Sequence, residues 1–209
     1  MIRLEIWGDY ASFNRPELKV ERYSYDFITP SAARNILQAI YWHPSFNWII
    51  DKIYILNPIE RMSITRNEMK NKGSYGDMKT AAKKGTSSYL TIDQTQRSAS
   101  VLKNVKYVIE AHFEPSGNKP FDENKIYAIF SERAKKGKCF KTPYLGTREF
   151  SASFRLIEDS ELIKPIDLSQ RCGLMLYDLK YEDTKSIPYY FDAVIENGVV
   201  NLHKCEVFQ

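Results

Sequence analysis

Three side chains suited to acid–base or charge-stabilising chemistry stand at two separated points of the chain. The segment IYWHP, residues 40–44, carries Tyr41 and His43, and the segment FDENKIY, residues 121–127, carries Lys125. A phenol, an imidazole and an ammonium group together suit attack of a ribose 2′-hydroxyl on the adjacent phosphodiester. That reaction needs a base for the hydroxyl, an acid for the departing 5′ oxygen, and positive charge beside the phosphate. A tyrosine hydroxyl has a reference pKa of about 10, so it is a poor base until cationic neighbours lower it. Lys125 can provide that charge or neutralise the phosphate, and a helix N-terminus adds partial positive charge at the same place. Each residue also has a plainer reading. Tyr41 falls on the apolar stripe of its helix and can serve packing. Lys125 can be one more solvated lysine, and His43 can cap helix carbonyls.

Other chemistries find less support. The histidines at 43, 112 and 203 are dispersed, and no two acids share a motif with one of them at ligand spacing, so neither a metal nor a cofactor is expected. GxxxxGK[ST], GxGxxG and GxSxG are all absent. His112, in VIEAHFE, lies on the side of Glu110 and Glu114 rather than Ala111 and Phe113, which reads as structural or solvent-facing. His203 has no evident partner. Cys139, Cys172 and Cys205 are odd in number and lack CxxC spacing, which fits reduced thiols. The N-terminus has no signal-like apolar run and nothing approaches a membrane span, so a cytoplasmic protein is expected.

Periodicity supplies the elements that must position these groups. Ile2, Leu4 and Ile6 alternate with Arg3, Glu5 and Trp7, a half-buried strand. Thr29-Pro30 reads as an N-cap followed by proline at the first helical position. Ala33, Ile36, Leu37, Ile40 and Tyr41 then recur at helical spacing until Pro44. Trp48–Leu56 reads as a strand, with a short further strand over 59–64. Residues 66–90 are polar, with six Lys or Arg against two acids, and are expected to form a long mobile loop. Arg97–Leu102 and Lys106–Phe113 look like a hairpin turning at Lys103-Asn104. A helix is expected over 122–136, a strand over 150–155, and antiparallel strands beyond Gly173. Asn197-Gly198 is a two-residue hairpin signal.

The sum is an α+β chain. Residues 1–155 give strand, helix, strand, strand, helix, strand, which is the ferredoxin-like (RRM-like) order. Residues 156–209 are expected to add a small antiparallel β-sheet domain. In that order the two helices run antiparallel, bringing the end of the first (Tyr41, His43) toward the start of the second (Lys125).

The formal net charge is only +4, but the basic residues cluster. One group is the 66–90 stretch. The other is SERAKKGKCFKTPYLGTR, with Lys135, Lys136, Lys138 and Arg148 among its cations. Arg15, Lys19, Arg22 and Arg34 add charge around the first helix. Such groups give phosphate affinity without sequence information. Tyr75, Tyr89, Phe140 and Tyr144 lie among them and can stack on unpaired bases. A charge run can equally be a solvated face.

Long segments carry a family resemblance. GDYASFNRPELKVERYSYDFITPSAARNILQAIYWHP, WIIDKIYILNPI, RSASVLKNVKYVIEAHFE, KGKCFKTPYLGTREF and GLMLYDLKY occur in order across most of the chain. They resemble the subtype I-C CRISPR RNA-processing endoribonucleases, of the repeat-associated superfamily with ferredoxin-like folds. The resemblance implies metal-independent cleavage of CRISPR repeat RNA at the base of its hairpin, leaving a 5′-hydroxyl and a 2′,3′-cyclic phosphate. It also implies retention of the crRNA 5′ tag and assembly with the backbone and large subunits of the type I-C surveillance complex. A Tyr-Lys-His set carries cleavage in one branch of the family. Its Tyr falls on Tyr41 and its Lys on Lys125, but its His falls on Ile126. Ile126 cannot move a proton, which leaves His43 or His112 as the acid, or Tyr41 and Lys125 acting alone. His43 is the favoured assistant. A non-catalytic subunit that only caps the 5′ tag is the alternative, and a metal-dependent nuclease acting on DNA is a further one.

Overall fold

The computed structural model describes residues 1–18, 20–70, 74–87, 93–117, 120–182, 185–203 and 205–209. Among them the chain forms β1 (Ile2–Ala11), β2 (Arg22–Tyr23), α1 (Pro30–Ile40), β3 (Phe46–Ile55), β4 (Glu60–Met69), α2 (Tyr75–Lys84) and β5 (Gln94–Pro115). Then follow α3 (Glu123–Lys135), β6 (Ser153–Leu156), β7 (Gln170–Glu182), β8 (Lys185–Ile195), β9 (Val199–Asn201) and β10 (Val207–Phe208). The fold is mixed α/β with antiparallel sheets. The main sheet runs β6-β1-β5-β3-β9, each neighbour antiparallel, and a second sheet runs β10-β8-β7. The two sheets share one core: Met175, Phe191, Ala193 and Ile195 are buried in the same cluster as Leu4, Ile109 and Leu37.

The first helix forms as its sequence specifies. Thr29 has extended backbone and its hydroxyl accepts from the Ala32 N–H at 3.3 Å, while Pro30 opens the helix. A lost cap of this kind costs about 1 kcal/mol. Pro30, Ala33, Ile36, Leu37 and Ile40 are the buried face. The helix stops at Ile40, earlier than Pro44 requires, because Tyr41 is extended (φ −151°, ψ 127°). The Tyr41 carbonyl, released from the helix, accepts from the Trp48 indole N–H at 3.0 Å. Asp122 caps α3 through the Lys125 N–H at 3.1 Å, and Ile126, Phe130 and Ala134 form its buried stripe.

Aromatic packing ties α3 to one end of the sheet. Trp48 lies 4.6 Å from Phe113 and 4.8 Å from Phe130, and Phe46 lies 5.4 Å from Phe113, ring centre to ring centre. Tilted and edge-on pairs of this type add about 0.5–1.5 kcal/mol each beyond their area burial.

Two expectations are overturned. Residues 66–90 do not form a mobile loop over their described part: β4 continues to Met69 and α2 spans Tyr75–Lys84, with residues 71–73 and 88–90 outside the described residues. Ser74 caps α2 through the Asp77 N–H, and Gly85 ends it at φ 64°, yet no residue of this helix is buried. Local signals alone therefore make the helix, without the apolar stripe that would reveal it. The hairpin at Lys103-Asn104 is also absent. Asn104 has φ 49°, but β5 runs on through it for 22 residues. β1 pairs on both sides of that point, Gly8 with Val105 and Tyr10 with Lys103, and this holds the strand straight. β4 pairs with the first half of β5 only, from Glu60↔Lys103 to Met69↔Gln94.

The Asn197-Gly198 turn forms, with φ 50° and 74°. Its outgoing strand β9 pairs with β3, so the last part of the chain completes the main sheet. Any Cβ on Gly198 would sit 2.3 Å from the Ile166 carbonyl oxygen, which requires glycine there.

Candidate RNA-processing site

Tyr41 is fixed from several sides. Its N–H donates to the Leu37 carbonyl at 3.0 Å and its ring lies 5.7 Å from Phe46. The Arg133 guanidinium sits 4.9 Å from the ring centre and donates to the Ile40 carbonyl at 3.2 Å. One arginine of α3 therefore satisfies an orphan carbonyl at the end of α1 and lays a cation on the tyrosine face. Nothing in the sequence pairs Arg133 with the end of α1.

His43 is exposed on the same short segment. Its Nδ1 receives the N–H of buried Ser45 at 3.3 Å and lies 2.8 Å from the Ser45 hydroxyl. An Nδ1 that accepts leaves the single ring proton of the neutral imidazole on Nε2. Lys125 lies in the first turn of α3 with an exposed side chain. Among the described residues no hydrogen bond or ion pair joins it to Tyr41 or His43. Lys125 and Arg133 are eight residues apart on one helix, about 12 Å along its axis. Ile126 is 5% exposed and packs in the core.

His112 belongs to a different cluster. Its Nδ1 lies 2.9 Å from both carboxylate oxygens of Asp51, which is fully buried, and the His203 Nε2 lies 3.2 Å from the same carboxylate. His203, without a partner in the sequence, thus has one in the fold. Among the described residues no group of three His, Cys, Asp or Glu side chains has the arrangement to hold a metal ion. No described helix is long and apolar enough to cross a membrane.

The candidate RNA-binding cations separate into two sets. Arg34 is held in a two-pronged pair by Asp178 of β7, which raises the guanidinium pKa further. Arg22 pairs with Glu68 at 3.1 Å, Lys135 with Glu158 at 3.5 Å, and Lys136 with Glu132 at 2.6 Å. Arg15 lies 4.6 Å over the Tyr25 ring and 3.7 Å from Glu17. Burial, with Glu17 adding to it, pushes the Tyr25 hydroxyl up to about 12. Lys138 and Arg148 are exposed and have no ion pair with a described residue. Lys19 and Tyr89 lie outside the described residues.

Known proteins resemble this chain along most of its length. A family model described as CRISPR-associated protein (Cas_Cas5) matches residues 1–202. A protein of Mannheimia succiniciproducens named CRISPR pre-crRNA endoribonuclease Cas5d is 48% identical, the match covering 96% of this chain and 94% of the relative. A protein of the same name from Thermus thermophilus is 37% identical, over 90% of this chain and 76% of the relative. Among solved structures, a functionally uncharacterized protein from Streptococcus mutans superposes with a TM-score of 0.70 at 23% identity, over 100% of this chain and 96% of the other. A chain of a CRISPR RNA-guided surveillance complex superposes with a TM-score of 0.50 at 11% identity, over 99% and 88%. The chain belongs to the CRISPR-associated Cas5 family, in its subtype I-C branch.

Proposed function

We propose that this chain is a pre-crRNA endoribonuclease. It cuts repeat RNA at the base of the hairpin without a metal and then keeps the 5′ tag as a subunit of the type I-C surveillance complex. The observation that carries this reading is the 48% identity, sustained over 96% of the chain, to a relative named for that activity. The order β6-β1-β5-β3, with α1 between β1 and β3 and α3 between β5 and β6, supports a ferredoxin-like frame for residues 1–155.

In the proposed reaction Tyr41, in its phenolate form, takes the proton of the 2′-hydroxyl. The oxygen attacks the adjacent phosphorus, and the bond to the 5′ oxygen breaks. Lys125 neutralises the charge gathering on the phosphoryl oxygens, as the amine of a flexible stem can. His43, acting as the imidazolium with both ring nitrogens protonated, gives its Nε2 proton to the leaving oxygen and is left as neutral imidazole. The products are a 2′,3′-cyclic phosphate and a 5′-hydroxyl. Lys138 and Arg148, with Arg15, supply phosphate contacts, and Lys19, Arg22, Arg34, Lys135 and Lys136 complete the wider basic surface.

One observation favours a second reading, a subunit that caps the 5′ tag without cutting: Ile126 stands buried where the family's histidine is expected. Incubating purified protein with the matching repeat RNA in EDTA separates the two. Discrete cleavage beside the hairpin is the expected result. Tight binding with intact RNA assigns the capping role instead.

A further inference from the structure

A cleft of about 350 Å³ opens between α1 and the segment that follows α3. Asn35, Gln38, Trp42, Phe140, Lys141 and Tyr144 line it. Trp42 and Phe140 are 56% and 78% exposed, a large aromatic surface left in water. The walls are built into the fold. The N–H groups of Phe140 and Lys141 both donate to the Ala39 carbonyl, at 2.8 and 3.1 Å, which pins this segment to the last turn of α1. Just beyond, Leu145 is fully buried, and Gly146 (φ 87°) has no room for a Cβ, which would sit 2.0 Å from the Ser12 carbonyl oxygen.

The cleft adjoins the proposed reaction centre. Tyr41 is in extended conformation, so the side chains of Tyr41 and Trp42 leave the backbone on opposite sides. Tyr41 turns toward Phe46 and Arg133, and Trp42 lines the cleft. Among the described residues no acidic side chain lines it, and Lys141 does, with its amine 5.8 Å from the Phe140 ring centre. Lys138 and Arg148, both exposed, flank the lining segment in sequence.

We propose that this cleft captures one unpaired nucleobase next to the scissile phosphate, stacked on Trp42 and Phe140. Aromatic faces accept any base, and the amides of Asn35 and Gln38 offer both donors and acceptors to its edge. A lining with a cation and no acid suits a polyanion, which sets RNA apart from an apolar peptide as the occupant. This rests on the endoribonuclease reading and adds to it a specific base-holding site.

The test is a binding cycle, made independent of cutting by 2′-deoxy nucleotides at the hairpin base. Each unpaired nucleotide is replaced in turn by an abasic residue, and affinity is measured for the wild type and for the Trp42→Ala/Phe140→Ala double variant. One abasic position is expected to weaken wild-type binding roughly 5- to 150-fold. The double variant is expected to lose a similar factor on intact RNA and to be insensitive to that same abasic position. Both residues are exposed, and an unchanged unfolding midpoint checks the fold. Trp42→Phe with Phe140→Trp is expected to keep the affinity. Losses that multiply at every position, or no loss at any, overturn the proposal. Cutting of ordinary repeat RNA without this coupling leaves the nuclease reading standing and the cleft wrongly assigned. Coupling without cutting leaves the cleft standing and the nuclease reading wrong.

Discussion

The end of α1 and the start of α3 present their reactive groups in different ways. Tyr41 has its carbonyl held by Trp48, its ring beside Phe46, and the Arg133 guanidinium against its face. Lys125 has only its backbone fixed, by the Asp122 cap, and its side chain is in solvent. A proton-abstracting phenol must be aimed within a narrow range, whereas an ammonium group acts as a point charge and tolerates a mobile stem. The contrast fits the proposed division of labour, an aimed base and a mobile charge acting on one phosphate.

Breaking the oriented end is expected to do most. Tyr41→Phe removes the hydroxyl and keeps the packing, so single-turnover cleavage should fall about 10²- to 10⁴-fold with the unfolding midpoint unchanged. Lys125→Ala should lower the same rate by about 10²-fold, and Lys125→Arg should restore part of it, since charge rather than shape is at stake. A next, smaller effect is expected from Arg133→Met. The side chain keeps its length but loses the donor to Ile40 and the cation over the ring. The rate should fall about tenfold while RNA affinity stays level, the mark of a misaimed phenol. His43→Ala should cost a similar factor, measured as slower product formation at saturating enzyme. The smallest effects concern binding. Lys138→Ala should reduce the salt dependence of RNA affinity by about one counterion. Lys136→Ala should leave it nearly unchanged, because Glu132 already neutralises that amine in the folded protein.

Much of this was legible in the sequence where one face of an element is apolar. The Thr29-Pro30 start and the stripe from Ala33 to Ile40 mark α1 because both the cap and the buried face write themselves into spacing. The second half of β4, beyond the strand read over 59–64, and the whole of α2 escaped because their residues lie outside the core: no residue of either element is buried. β5 was divided in two because Asn104 carries a turn signal that pairing with β1 overrides. At the site, Tyr41 and His43 are neighbours in sequence and were found together. Arg133 was not linked to them, since its bond to Ile40 spans 93 residues and depends on how two helices cross. The partner of His112 was hidden for a like reason: Asp51 sits at an irregularity in β3, between Ile50 and Lys52, where the register with β5 shifts. The stripe of Ile126, Phe130 and Ala134 does explain why an isoleucine follows Lys125, for that position faces the core.

The 3′ end of the RNA product tests the central claim most directly. Matching repeat RNA should be cut by the wild-type protein in EDTA at a single phosphodiester, and the upstream fragment should carry a 2′,3′-cyclic phosphate, with Tyr41→Phe giving almost none of it. A 3′-hydroxyl end, or equal cyclic-phosphate yield from wild type and Tyr41→Phe, contradicts a reaction begun by the Tyr41 phenol.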